Sequence, residues 1–145
     1  MFEANRVEDS PIEFVRITSE EGIEEVRELF REYAASLDTD LCFQQFEEEL
    51  TSLPGKYAPP DGTLMLAKVN GNLAGCIALR PAAEGICEMK RLYVRNSYRG
   101  MGLGKQLVAR LIREAEYRRY RFMRLDTLPV MKEAQRLYEA FGFYD

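Results

Sequence analysis

The chain has 145 residues, of which 46% are hydrophobic and 30% charged, and its formal net charge is −4. That length suits a single domain over residues 1–145 with a sizeable core, and the acidic balance gives no general attraction to nucleic acid. No apolar run is long enough to span a bilayer, and no secretory segment follows Met1.

In chain order, weak alternation over residues 14–18 predicts a first strand. Ser19 offers a cap, and Ile23, Val26, Leu29, Phe30, Tyr33, Ala34 and Leu37 recur at helical spacing, so a helix is expected over 20–37. A second, short helix is expected over 42–53, with Phe43, Phe46 and Leu50 on one side and Pro54-Gly55 stopping it. Residues 57–62 read as a loop. Two apolar runs, 63–69 and 73–79, flank Asn70-Gly71, a strong two-residue hairpin signal. A turn over 82–85 leads to a third paired strand, 86–94. A helix from 102 to 120 follows, with Leu103, Leu107, Leu111 and Ala115 on its buried stripe. A strand over 122–127 and a helix over 131–141, ended by Gly142, complete the pattern. An antiparallel meander followed by helix, strand and helix is an α+β, or mixed α/β, arrangement.

Arg99-Gly100-Met101-Gly102-Leu103-Gly104 lies between the 86–94 strand and the long helix. Backbone N–H groups converging at a helix N-terminus suit phosphate oxygens, and glycine permits the conformations and close approach such a turn needs. Arg99 adds a planar cation, which either touches phosphate or holds the turn. Gly104-Lys105 is followed by Gln106 rather than Ser or Thr, so a magnesium-holding Walker loop is a poor match. The glycine spacing and the basic helix also fit a Rossmann fingerprint badly.

The first third of the chain is acidic, whereas residues 90–124 are rich in Lys and Arg. Solvated helix faces explain most of these charges. Glu24, Glu28, Glu47 and Glu48 would also suit a cationic acceptor. Cys42, Cys76 and Cys87 lack metal-ligand spacing and read as reduced apolar fillers in a cytoplasmic protein, with no metal expected. The chain has no histidine, so a general base must be a carboxylate, a tyrosine, a cysteine or a water chain.

Three segments resemble the GCN5-related N-acetyltransferase (GNAT) family. The glycine turn matches its Arg/Gln-x-x-Gly-x-Gly/Ala signature, Glu88 to Val94 is similar to its fourth strand, and Ala134 to Phe143 looks like its "A-x-x-L-Y-x-x-x-G-F" helix. The resemblance covers roughly residues 12–143 and implies a mixed sheet splayed between its fourth and fifth strands. Acetyl-CoA would occupy the split. Leu92, Tyr93 and Val94 would offer backbone groups to pantetheine, and Arg99, Gly100, Met101, Gly102, Leu103, Gly104 and Lys105 would cradle the diphosphate.

The implied reaction is direct acetyl transfer to a small-molecule or peptide amine. The resemblance assigns Tyr138 as proton donor to the departing thiolate and Glu88 as base. Glu88 would share a strand face with Val94 if no bulge intervenes. Met131 stands where family members often carry a cofactor-contacting Asn. The chain ends at Asp145, where a sixth strand is expected to begin, so an exposed strand edge at 122–127 is expected, covered in a homodimer or left by truncation. A CoA-binding sensor without turnover and a dimerising interaction protein are the competing expectations.

Overall fold

A computed structural model describes residues 11–37, 43–125 and 132–144. Its centre is a five-stranded sheet in the order β1-β2-β3-β4-β5, with β1 at Ile12–Arg16, β2 at Thr63–Val69, β3 at Asn72–Ala83, β4 at Ile86–Val94 and β5 at Phe122–Arg124. The first four strands pair antiparallel; β4 and β5 pair parallel. The first strand thus begins and ends two residues earlier than the alternation suggests. Residues 126–131, which include the end of the expected fifth strand and Met131, lie outside the described residues, as does Cys42.

Sheet and helices form three layers. Helices α1 (Glu20–Ser36) and α2 (Phe43–Ser52) share one face, while α3 (Leu103–Tyr117) and α4 (Lys132–Ala140) cover the other. Both faces of the central strands are therefore covered, which explains the nearly unbroken apolar runs in β2 and β3. Leu64, Leu66, Cys76 and Ala78 face α1 and α2. Met65, Ala67, Ile77 and Leu79 alternate with them and meet Leu103, Leu107 and Leu111 of α3. The predicted stripe of α3 is the buried one.

Local chemistry sets the element ends. The Ser19 hydroxyl accepts the Gly22 N–H at 3.1 Å and caps α1. Asn70 (φ 51°) and Gly71 (φ 81°) both take the left-handed conformation that a tight hairpin of this hand requires.

Two irregularities in β4 shape the site. The β3–β4 register shifts between Cys76 and Ala78, opposite Arg91, whose φ is 61°. This is a β-bulge with a non-glycine residue in the left-handed region, which is rare and strained. Secondly, among the described residues β5 pairs with β4 only at Ile86, Cys87 and Glu88. From there to Val94, β4 has no strand partner on that side among the described residues.

Candidate active site

Beyond Glu88, β4 presents an edge with no strand partner among the described residues. The Arg95 N–H donates to Ala74 O at 2.8 Å, so antiparallel alternation turns the backbone groups of Leu92 and Val94 away from β3. One is already engaged: Arg99 Nε donates to Val94 O at 2.9 Å. Arg99 therefore ties the glycine turn to β4. Tyr93 turns its side chain to the other face, where its hydroxyl meets Glu32 Oε1 at 3.3 Å.

The glycine turn runs from Gly100 (φ 85°) to Gly102 (φ 79°), the latter being the N-cap of α3 with no side-chain cap. The Gln106 N–H is the first to reach back, to Gly102 O at 3.1 Å. The N–H groups of Leu103, Gly104 and Lys105 consequently have no acceptor within the helix. A Cβ on Gly100 would meet nothing within 4 Å, and one on Gly102 only the Gln106 Nε2 at 3.8 Å. Both glycines are needed for their backbone angles, and the space beside them is open. Leu103 is buried in the core and anchors the turn, whereas Met101 and Lys105 are exposed. Gly104 packs near Leu137 of α4, where a Cβ would sit 3.6 Å from Leu137 Cδ2.

Tyr138, on α4, is buried and packs edge-on to Phe143 with ring centroids 6.0 Å apart. Burial pushes its phenol up to about 12, and the Tyr33 phenol adds to the rise. Tyr33 belongs to α1, on the opposite face of the sheet.

Glu88 departs from the same-face expectation. The bulge at Arg91 adds one residue to β4 and inverts the alternation beyond it. Cys87 and Met89 face α3 before the bulge, and Leu92 and Val94 do so after it. Glu88 accordingly lies on the α1–α2 face, opposite Val94, and pairs with Arg80 of β3 at 3.4 Å.

On that face a cleft of about 590 Å³ opens between α2, the loop after it, and the sheet; its lining includes Phe46, Glu49, Tyr57, Arg80, Lys90 and Arg91. Arg91 binds Glu49 through two 3.0 Å hydrogen bonds and lies against the rings of Tyr33 and Phe46. Glu49 also accepts from the Tyr57 hydroxyl at 3.2 Å, and burial raises the Tyr57 phenol well above its usual range. The sequence reading missed Arg91, Glu49 and Arg80. A basic pair, Lys90-Arg91, inside a largely apolar strand was the available signal.

Of the acids expected to attract a cation, Glu24 is bound to Arg27, and Glu28 joins Glu32 around Arg95, with Arg95 Nη2 at 3.1 Å from Glu28 and 2.6 Å from Glu32. Cys76 and Cys87 are buried free thiols, and burial raises both, Cys87 to about 11. They are fillers, as expected. Among the described residues no group of His, Cys, Asp and Glu could hold a metal.

A five-stranded mixed sheet between two helix layers, with a glycine-led helix after β4, is the acyltransferase class of fold. Residues 23–143 match the model of the family described as "Acetyltransferase (GNAT) family". The chain is 41% identical to an uncharacterised N-acetyltransferase of Schizosaccharomyces pombe, over 85% of this chain and 77% of that one. It is 32% identical to an uncharacterised N-acetyltransferase of Dictyostelium discoideum, covering 86% of each. Human N-acetylaspartate synthetase is 33% identical over 59% of this chain and 28% of its own length. A GNAT acetyltransferase from Staphylococcus aureus shares the fold, with a TM-score of 0.78 at 23% identity over 92% and 84% of the chains. The chain belongs to the GNAT acetyltransferase family.

Proposed function

We propose that this protein transfers an acetyl group from acetyl-CoA directly to a primary amine, without an acyl-enzyme stage, within one GNAT-like domain. The carrying observation is the α3 N-terminus: three helix N–H groups without helical acceptors, two left-handed glycines, and open space above them. Those features fit a diphosphate, whose charge the amides and the positive end of the helix would hold. The free edge of β4 at Leu92 and Val94 fits the amides of pantetheine, which can pair with it as another strand would. When bound, acetyl-CoA supplies the acetyl group of the new amide bond and departs as the free thiol.

The chain's own residues handle the protons. An amine attacks only when neutral, yet a lysine-like ammonium has a pKa near 10.4. Glu88, on the α1–α2 face, accepts that proton directly or through water. Tyr138, whose raised pKa keeps its hydroxyl protonated at neutral pH, donates toward the leaving sulfur. The acceptor is an amine; N-acetylaspartate synthetase, by its name, makes an acetylated amino acid.

Calorimetry with acetyl-CoA, followed by a thiol-release assay on an amine panel, tests the reading. Gly102→Glu places bulk and negative charge at the turn, and acetyl-CoA affinity should fall at least about a hundredfold. Unaltered affinity would remove the turn from the scheme. Binding without thiol release for any amine would instead favour a sensor.

A further inference from the structure

We propose that the cleft between β1 and the C-terminal half of α3 docks an extended acidic segment of a partner protein, which adds as a strand to the edge of β1. The cleft measures about 630 Å³; Phe14 and Met65 of the sheet line it together with Arg16, Arg110, Arg113 and Tyr117. It is separate from the glycine turn, since Arg110 lies about 12 Å along α3 from Gly102. Charge is the first observation. Glu114 is the only carboxylate in the lining, and it is buried and shared between Arg16 and Arg118. Arg110 and Arg113 have no carboxylate within salt-bridge distance among the described residues, Glu116 included. Glu13, the other acid on β1, sits on the opposite side of the sheet with Val15. With every pair counted, Arg16, Arg110, Arg113 and Arg118 answer one carboxylate.

The second observation is the strand edge. Among the described residues β1 ends the sheet, with β2 as its one strand partner. The Asn70 N–H donates to Pro11 O at 2.7 Å and the Ile17 N–H to Leu64 O at 2.9 Å. Antiparallel alternation therefore turns the backbone groups of Phe14 and Arg16 outward, away from β2. An added strand would pair with those groups, as extended peptides do at open sheet edges. Its residues opposite Phe14 and Arg16 would also carry their side chains on the α3 side, about 7 Å apart. On that side Arg110 and Arg113 stand one helical turn apart. Acidic residues at alternate positions would thus bond β1 through their backbone and the arginines through their carboxylates.

The third is the make-up of the rim. Tyr117 is 84% exposed, and the Arg110 guanidinium lies 4.1 Å from the centroid of the Phe14 ring, which holds it in place. Exposed tyrosine beside arginine is the composition of binding hot spots between proteins. The same charges argue against a second copy of this chain. Two β1 edges paired antiparallel about a twofold axis would keep their faces aligned, setting α3 beside α3 and arginine against arginine. A free inorganic anion would use the arginines and leave the edge unpaired.

Fluorescence anisotropy with a labelled Glu-Thr-Glu-Thr-Glu-Thr-Glu peptide tests the site. The full chain should bind it saturably at low salt, with Kd below about 1 mM, and should not bind the peptide with Lys in place of Glu. Methylating the glutamate backbone nitrogens should weaken binding at least about tenfold, whereas methylating the threonine nitrogens, which face away from β1, should not. Arg113→Glu alters an exposed side chain and should weaken binding at least about tenfold, with melting temperature, acetyl-CoA affinity and thiol release as in the wild type. Arg110→Gln should weaken it as well. No saturation below about 1 mM would overturn the proposal, as would equal binding of the lysine or glutamate-methylated peptide, or full affinity in Arg113→Glu. Tighter binding of single-stranded oligodeoxythymidylate at the same salt would overturn the protein partner in favour of nucleic acid.

Discussion

Arg91 shows how one strained residue can organise a site. Its left-handed backbone inserts the bulge, and its side chain is then held by Glu49 and two rings on the α1–α2 face. The inversion it causes separates the roles proposed for Glu88 and Tyr138, one on each face of the sheet. Tyr138→Phe should lower kcat about tenfold or more while sparing acetyl-CoA affinity, because only the proton donor is removed. An unchanged kcat would take Tyr138 out of the mechanism. Its ionisation also has a stability sign: with a pKa of about 12 folded against 10 unfolded, the folded state holds the proton more tightly. Stability from this group is complete below pH 10 and is lost as pH rises toward 12. Alkaline denaturation of Tyr138→Phe should show that loss reduced. Glu88→Gln should reduce turnover about a hundredfold near neutral pH, with the deficit shrinking toward pH 9 as more amine arrives already neutral. A deficit independent of pH would assign Glu88 a positioning role through Arg80.

At the level of elements, the site depends on how α1 is tied to the end of β4. Arg95, one residue past that strand, reaches Glu28 and Glu32 on α1, and Glu32 also accepts from Tyr93. The hydrogen bond from Arg95 is the main cause holding the Glu32 carboxyl below its ordinary 4.5, against the opposing effect of burial. Because the folded pKa is depressed, this contribution to stability is present above 4.5 and disappears as pH falls through the lower folded value. Glu32→Gln should flatten acid unfolding in that window and lower the melting temperature at pH 7. Identical acid transitions in the two proteins would show that the tether adds nothing. Exposure of this pair makes the effect modest.

For the whole molecule, the sheet with helices on both faces is what places α3 and its glycine turn beside β4. Leu107 is fully buried where α3 meets Met65, Ala67 and Ile77. Leu107→Ala should cost about 2–5 kcal/mol by transfer loss and cavity formation, read by denaturant melts. Since α3 carries the glycine turn at its N-terminus, acetyl-CoA affinity should weaken as well, with the turn less firmly placed. A stable Leu107→Ala protein would show that the α3 contact can collapse around the loss.

Much of this was legible in the sequence because it is local. Helical periodicity marks α1 and α3, Asn70-Gly71 supplies two left-handed residues in succession, and three alternate glycines before a helix already imply an uncapped N-terminus. The elements and the uncapped N-terminus of α3 follow from such neighbours a few positions apart. The faces of β4 do not. Alternation predicts Glu88 and Val94 together, and nothing nearby in the chain announces that Arg91 will enter the left-handed region. The partners that stabilise it there, Glu49 and Phe46, lie more than forty residues away. Sequence by itself therefore determined the elements, the family and the turn. Only the tertiary structure decided which side of the sheet each ionisable group serves, because that depends on a bulge held in place by packing and ion pairing between distant segments.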